Sequence, residues 1–103
     1  MSDAYGGSDA FDWDLEKAAL NVRKHGVTFE EAMSVFRDPL SLTVSDIAHS
    51  DVEERLILIG LSDRHRLLVV VYVERENHLR LISARLANPE ERRKYEEGTI
   101  YGF

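Results

Sequence analysis

The chain contains no cysteine, which removes disulfide scaffolds, Cys-ligated zinc and cysteine nucleophiles from consideration and fits a reducing compartment. Long apolar runs are missing too. The longest, Leu67 to Val73, falls far short of the roughly 18 residues that a membrane helix needs. The opening MSDAYGGSDA has neither a basic n-region nor an apolar h-region, so no signal peptide is read and a cytoplasmic, membrane-free protein is expected. The four histidines, His25, His49, His65 and His78, fall on separate segments with no His-x-x-x-His or HExxH spacing. No metal or other cofactor is therefore expected. Glycine is sparse and forms no GxGxxG, GxxxxGK[ST] or Gly-x-Ser-x-Gly string, which leaves nucleotide-binding loops and serine hydrolases without support.

Positive charge is also in short supply, with Lys and Arg 13 against Asp and Glu 19 and a formal net charge of -6. That total argues against a nucleic-acid partner, but its distribution does not. Residues 1–63 carry nearly all the acidic excess, whereas residues 64–103 are weakly basic, with five arginines between Arg64 and Arg85. The local field at a site matters more to an anionic ligand than the total, so a basic surface on an acidic protein is consistent with the sequence.

At 103 residues the chain fits one domain. Residues 1–10 are Gly, Ser and Asp rich and read as a flexible tail, with a domain over 11–97 and a short tail over 98–103. Phe11 and Trp13 flank Asp12 as in a short strand, and Asp14 is placed to cap a helix whose apolar stripe is Leu15, Ala18, Ala19 and Val22. Gly26 ends that helix. Thr28 and Glu31 make a capping box for a second, with Phe29, Ala32, Met33 and Phe36 apolar, stopped at Asp38-Pro39. The period then changes to two. Strands are read from Leu40 to Val44, from Arg55 to Gly60, from Arg66 to Arg75 and from Leu79 to Leu86, joined by an acidic loop and two hairpins. Asn88, Pro89 and Gly98 bracket a last helix with acidic residues in its first turn and basic ones later. The expectation is an α+β fold, with two N-terminal helices and a C-terminal helix packed on one face of an antiparallel sheet.

Arginines on otherwise apolar strands must reach a sheet edge, a partner or a ligand. Arg66 opens one such strand, Arg80 lies within the next and Arg85 closes it. Strand alternation puts Arg85 on the face of Leu79, Leu81 and Ser83, with Arg80 on the other unless a bulge intervenes. Each has an ordinary alternative as a solvated or salt-bridged surface residue.

The strings FDWDLEKAALNVRKHGVTFEEAMSVFRDPLSLTVSD, HSDVEERLILIGLSDRHRLLVVVYVER, LRLISAR and ERRKYEE resemble the BrnT family of toxins from bacterial type II toxin-antitoxin modules. The motifs, in order, are W-D, N-x-R-K-H-G-V-x-F-E-E-A, D-P-L, E-E-R, R-L-L-V-V-V and I-S-A-R, spread over Phe11 to Glu97. The resemblance implies a RelE-like α+β fold and a ribonuclease that arrests translation. It also implies neutralisation by a BrnA-type antitoxin, in a heterotetramer whose operator-DNA binding belongs to the antitoxin. Two departures stand out. Leu86 to Glu90 replace the usual basic stretch after I-S-A-R, and His65 replaces the usual hairpin Gly.

Metal-free RNA cleavage needs a base for the 2′-hydroxyl proton, cations for the phosphorane and an acid for the leaving oxygen. Arginine stays charged, so Arg66, Arg85 and Arg80 are assigned to phosphate stabilisation. His25, Lys24, His49 and Tyr95 are the candidates for proton transfer, Tyr95 alternatively stacking on a base. Arg64, Arg75 and His49 are placed at the substrate-binding rim. The competing reading keeps the scaffold and the antitoxin surface but not cleavage.

Overall fold

The computed structural model describes residues 5–7, 10–46 and 53–98. The elements are β1 (Tyr5–Gly7), β2 (Phe11–Asp14), α1 (Leu15–His25), α2 (Phe29–Val35), β3 (Leu42–Ser45), β4 (Arg55–Leu61), β5 (Leu67–Arg75), β6 (His78–Leu86) and α3 (Pro89–Glu97). The strand order is β1-β2-β6-β5-β4-β3. Among the described residues no helix is long and apolar enough to cross a membrane.

The caps form as local chemistry dictates. Asp14 Oδ1 accepts from the Glu16 and Lys17 N–H groups, at 2.8 and 3.2 Å, to start α1, and Gly26 ends it at φ 68°, a left-handed conformation that glycine adopts without a Cβ clash. Thr28 Oγ1 accepts from Glu31 N at 3.0 Å, but the expected capping box stays half made, because the Glu31 carboxylate is turned to Arg66 and Ser62 instead of back to Thr28. At α3 the capping box closes in both directions, Glu91 N to Asn88 Oδ1 at 2.8 Å and Asn88 N to Glu91 Oε1 at 2.9 Å.

Four larger features depart from the sequence expectation. The sheet is mixed: β2 runs parallel to β6 (Phe11 opposite Leu79, Asp12 opposite Arg80), the intervening helices and meander providing the long crossover that a parallel pair requires. Tyr5–Gly7, inside the segment read as a tail, pairs antiparallel with β2, since backbone pairing needs no apolar pattern. The third departure is the layering. Phe29, Ala32 and Val35 of α2 pack with Leu58, Leu68 and Val70, whereas Tyr95 of α3 packs with Ile59, Leu67 and Val69. These strand residues alternate, so α2 and α3 cover opposite faces. We call the α2 side the first face and the α3 side the second.

The fourth is the orientation of α1. Leu15 and Val22, expected in the core, are 45% and 44% exposed and Ala19 is also exposed; only Ala18 of that stripe packs inward, while Asn21 is 5% exposed. The cause is a strand edge. Beyond Asp14 nothing from β2 pairs with β6, and Asn21 takes the vacant place: its Nδ2 donates to Ala84 O (2.8 Å) and Val27 O (2.8 Å), and its Oδ1 accepts from Ala84 N (3.1 Å). On β4, Asp38 does the same for Leu61, accepting its N–H at 2.8 Å.

Candidate functional site

The second face is built row by row from the strand register. Arg55, Val73, Arg80 and Asp12 lie in one row across four strands, Ile57, Val71 and Ser83 in the next, and Ile59, Val69 and Arg85 in a third. Arg80 and Arg85 share this face because β6 carries a bulge. Val71 opposes Ser83 while Tyr72 opposes Leu81, so Ile82 is the extra residue and the side-chain parity shifts. Leu79, Leu81 and Ala84 consequently all point into the first-face core.

Where this face meets the edge guarded by α1 there is a cleft of about 330 Å³, lined by Lys17, Leu20, Asn21, Lys24, His25, Arg55, Ile82 and Ser83. Lys17, Leu20, Asn21, Lys24 and His25 follow the i, i+3, i+4, i+7, i+8 spacing of one helical stripe, so the Asn21 pairing with β6 is what turns the two lysines and the histidine toward it. Arg55 enters from β4. Among the described residues neither Lys17 nor Lys24 has a carboxylate partner, and the cleft lining contains no acidic side chain. A dense cationic recess with a hydroxyl and an imidazole can hold a phosphodiester and move a proton beside it.

The residues expected from the sequence are thus divided. Lys24 and His25 come together in the cleft. Arg80 lies nearby on the second face against Asp12 (Nη1 to Oδ1, 3.4 Å), which also meets His78 Nε2 at 3.1 Å. Arg85 faces the same way, but its guanidinium is held in a fork by Glu91, Nη1 to Oε1 and Nη2 to Oε2, each 2.8 Å. That pair lowers the Glu91 carboxyl below its ordinary value and raises the Arg85 pKa. Arg75 is paired with Glu53, Nε to Oε2 at 2.6 Å.

Arg66 sits on the opposite face. It grips the buried Glu31 of α2, Nε to Oε2 at 3.0 Å and Nη2 to Oε1, with Nη2 also donating to Gly26 O at 3.1 Å. Ser62 Oγ donates to the same carboxylate at 2.7 Å, and the Arg66 hydrogen bond leads in holding Glu31 below its ordinary pKa. This network ties the β4–β5 hairpin to α2, so Arg66 does not join Arg85 at one site. Arg64 lies on that hairpin beside Thr28, Glu30, Glu31 and Asp63, away from the cleft. Tyr95 packs under the second face with its hydroxyl donating to Asp38 Oδ2 at 2.6 Å; burial, together with that bond to a carboxylate, pushes it up to about 12, unsuited to a base. His49 lies outside the described residues.

Lys17, Arg55 and Ser83 were not foreseen. Arg55 is in the E-E-R string and Ser83 in I-S-A-R, but only the register shows that they approach α1.

This small α+β domain with its cationic recess falls, by its sequence, in the class of ribonuclease toxins of type II toxin-antitoxin systems: residues 13–91 fit the family model described as "Ribonuclease toxin, BrnT, of type II toxin-antitoxin system". The chain belongs to the BrnT family. The crystal structure of the Brucella abortus ribonuclease toxin BrnT is similar in fold, with 24% sequence identity and a TM-score of 0.53 over 74% of this chain and 92% of that one. No curated protein is a significant match.

Proposed function

We propose that the chain is a metal-independent endoribonuclease that arrests translation in the cytoplasm and is neutralised by a BrnA-type antitoxin. The observation that carries this reading is the cleft, where Lys17 and Lys24, without carboxylate partners among the described residues, converge with His25, Arg55 and Ser83, in a chain whose family is described as ribonuclease toxins. In the proposed reaction the RNA 2′-oxygen bonds to phosphorus as the bond to the 5′-oxygen breaks, leaving a cyclic phosphate and a 5′-hydroxyl. His25 and Lys24 are the groups for proton transfer. Lys17 and Arg55 stabilise the phosphorane, and Arg80 extends the basic surface along the strand. Arg66 and Tyr95 act in the fold, not in the reaction.

The antitoxin is proposed to cover the second face, whose half-buried Val44, Ile57 and Val71 lie among Arg55, Arg80 and Arg85. The complex is taken as a heterotetramer that contacts operator DNA through the antitoxin alone. A second reading, an antitoxin-binding module without cleavage, draws on the pairing of Arg80 with Asp12 and Arg85 with Glu91.

Purified chain incubated with single-stranded RNA in excess chelator separates these readings. Cleavage that survives chelator, falls by about 10²-fold in His25→Ala and Arg55→Ala and stops on adding antitoxin is expected. A wild type that binds antitoxin but leaves RNA intact would establish the second reading.

A further inference from the structure

Leu20 is a large apolar side chain that the fold leaves partly open. It is 39% exposed, on the side of α1 that faces the cleft, while the stripe mate next to it, Asn21, is buried against β6. Ile82 is the bulged residue of β6, the one position on that strand without a register partner on β5, and it enters the same cleft. A bulge is a recurrent way of re-aiming a side chain at a site. The cleft therefore has two chemistries: an apolar wall from Leu20 and Ile82, and a cationic wall from Lys17, Lys24 and Arg55. Its volume, about 330 Å³, suits one nucleotide and not a folded helix of RNA.

We infer that Leu20 and Ile82 form a nucleobase subsite, so that the cleft takes one unstacked nucleotide of a single strand, base against the apolar wall and phosphate against the cations. This rests on the ribonuclease reading and adds the substrate class to it. Single-stranded RNA is read with its bases splayed out, and a base lacking an aromatic platform gains from any apolar surface it covers. The cleft lining holds no Phe, Tyr or Trp and its one imidazole, His25, is assigned to proton transfer, so the two aliphatic side chains carry that contact. The subsite accepts any base that fits, with discrimination by size more than by hydrogen-bonding pattern. Paired RNA is excluded because its bases are not available to the wall.

The test uses 2′-deoxy trinucleotides, which bind but have no 2′-hydroxyl to react, so it is independent of cleavage. One carries a central base and the other is abasic at that position. The full chain, labelled at Leu and Ile methyls, is titrated with each. Wild type should bind the base-containing probe about fivefold more tightly, the gain from taking roughly 40 Å² of apolar surface out of water, with the Leu20 and Ile82 methyl signals moving only for that probe. Leu20→Ser should lower the unfolding midpoint only slightly, remain fully folded under the titration conditions and bind both probes alike. Equal binding of the two probes by wild type, unmoved methyls, or an undiminished preference in Leu20→Ser would each overturn the subsite. Failure of the ribonuclease reading would show instead as wild type that binds the probes but cleaves no RNA.

Discussion

Replacing Asn21 gives a graded test of the α1 placement on which the cleft depends. The side chain makes three hydrogen bonds to the backbone of Val27 and Ala84, at 2.8, 2.8 and 3.1 Å, while 5% exposed. Asn21→Ala leaves two carbonyls and one N–H without their partner. Each unsatisfied buried group costs about 1–3 kcal/mol, but the adjoining cleft lets water reach some of them, so a loss of about 2–3 kcal/mol is expected. Asn21→Asp is nearly the same shape yet should be worse at neutral pH, about 3–5 kcal/mol. It keeps an acceptor for Ala84 N and places a carboxylate against two carbonyls that now receive an N–H. A chain of this length has roughly 5–15 kcal/mol in all, so the aspartate variant would sit near the limit of folding.

The sign of its pH dependence follows from the same geometry. Only a protonated carboxyl can donate to a carbonyl, so the folded-state pKa of the new aspartate is raised. Its destabilisation should therefore shrink as pH falls through that raised value toward its ordinary one, the reverse of the wild-type trend. Urea denaturation followed by the fluorescence of Trp13, the one tryptophan, 3% exposed and edge-on to Phe29, reads both variants. If Asn21→Asp equalled or exceeded Asn21→Ala in stability at pH 7, or failed to recover on acidification, the strand-edge role of Asn21 would be refuted.

Arg66→Ala should lower stability by about 1–3 kcal/mol by leaving the Glu31 carboxylate buried without its guanidinium, yet leave RNA cleavage per folded molecule unchanged; a ~10²-fold loss with intact stability would return Arg66 to the reaction. Glu31 and Glu91 have lowered pKa values, so their contribution is present above the ordinary value of 4.5 and lost as pH falls through the lowered values; Glu31→Gln should be less stable than wild type at pH 7, with the two converging in acid melts. Tyr95, raised to about 12, stabilises the fold below its ordinary value of 10.0 and loses that contribution as pH climbs to about 12; Tyr95→Phe should flatten this part of the alkaline stability curve. His65, at φ 60° in the left-handed region that glycine adopts without a Cβ clash, should gain up to about 1 kcal/mol on His65→Gly in thermal melts, and His65→Val should lose more than that. Gly60→Ala would bring a Cβ to 2.8 Å from Val35 Cγ1 and 3.0 Å from Ser41 Cβ, so a loss of about 1–3 kcal/mol is expected by calorimetry.

Elements set by neighbours in sequence are legible in the amino-acid order alone. Asn88, Pro89 and Gly98 bracket α3 because a cap needs only a side chain and an N–H three residues on. Short apolar runs broken at Ser62–His65 and Glu76–His78 similarly reveal three consecutive strands over residues 55–86. What stays hidden is set by partners far along the chain. The α1 stripe Leu15, Ala19 and Val22 has helical spacing but no surface to cover, because Asn21 has claimed the edge of β6. Arg80 and Arg85 share a face only through the bulge at Ile82. Arg66 resembles a phosphate ligand in the sequence, since nothing local announces that Glu31, 35 positions earlier, lies opposite it. The cleft lies beyond sequence reading for the same reason: Lys24 and His25 are visible as candidates, but Arg55 and Ser83 reach them through the sheet register.

The link between Asn21 and Ala84 spans 63 positions and closes the edge on which the cleft is built. During synthesis the helix bearing Lys17, Lys24 and His25 leaves the ribosome early, but the strand that orients it is made near the end. Contacts this distant form late and slowly, since the loop between them must be closed before they contribute. A growing chain therefore holds the cationic residues without the recess they line, and under the proposed ribonuclease function the nascent polypeptide stays inert toward RNA until the last strand has emerged and folded back.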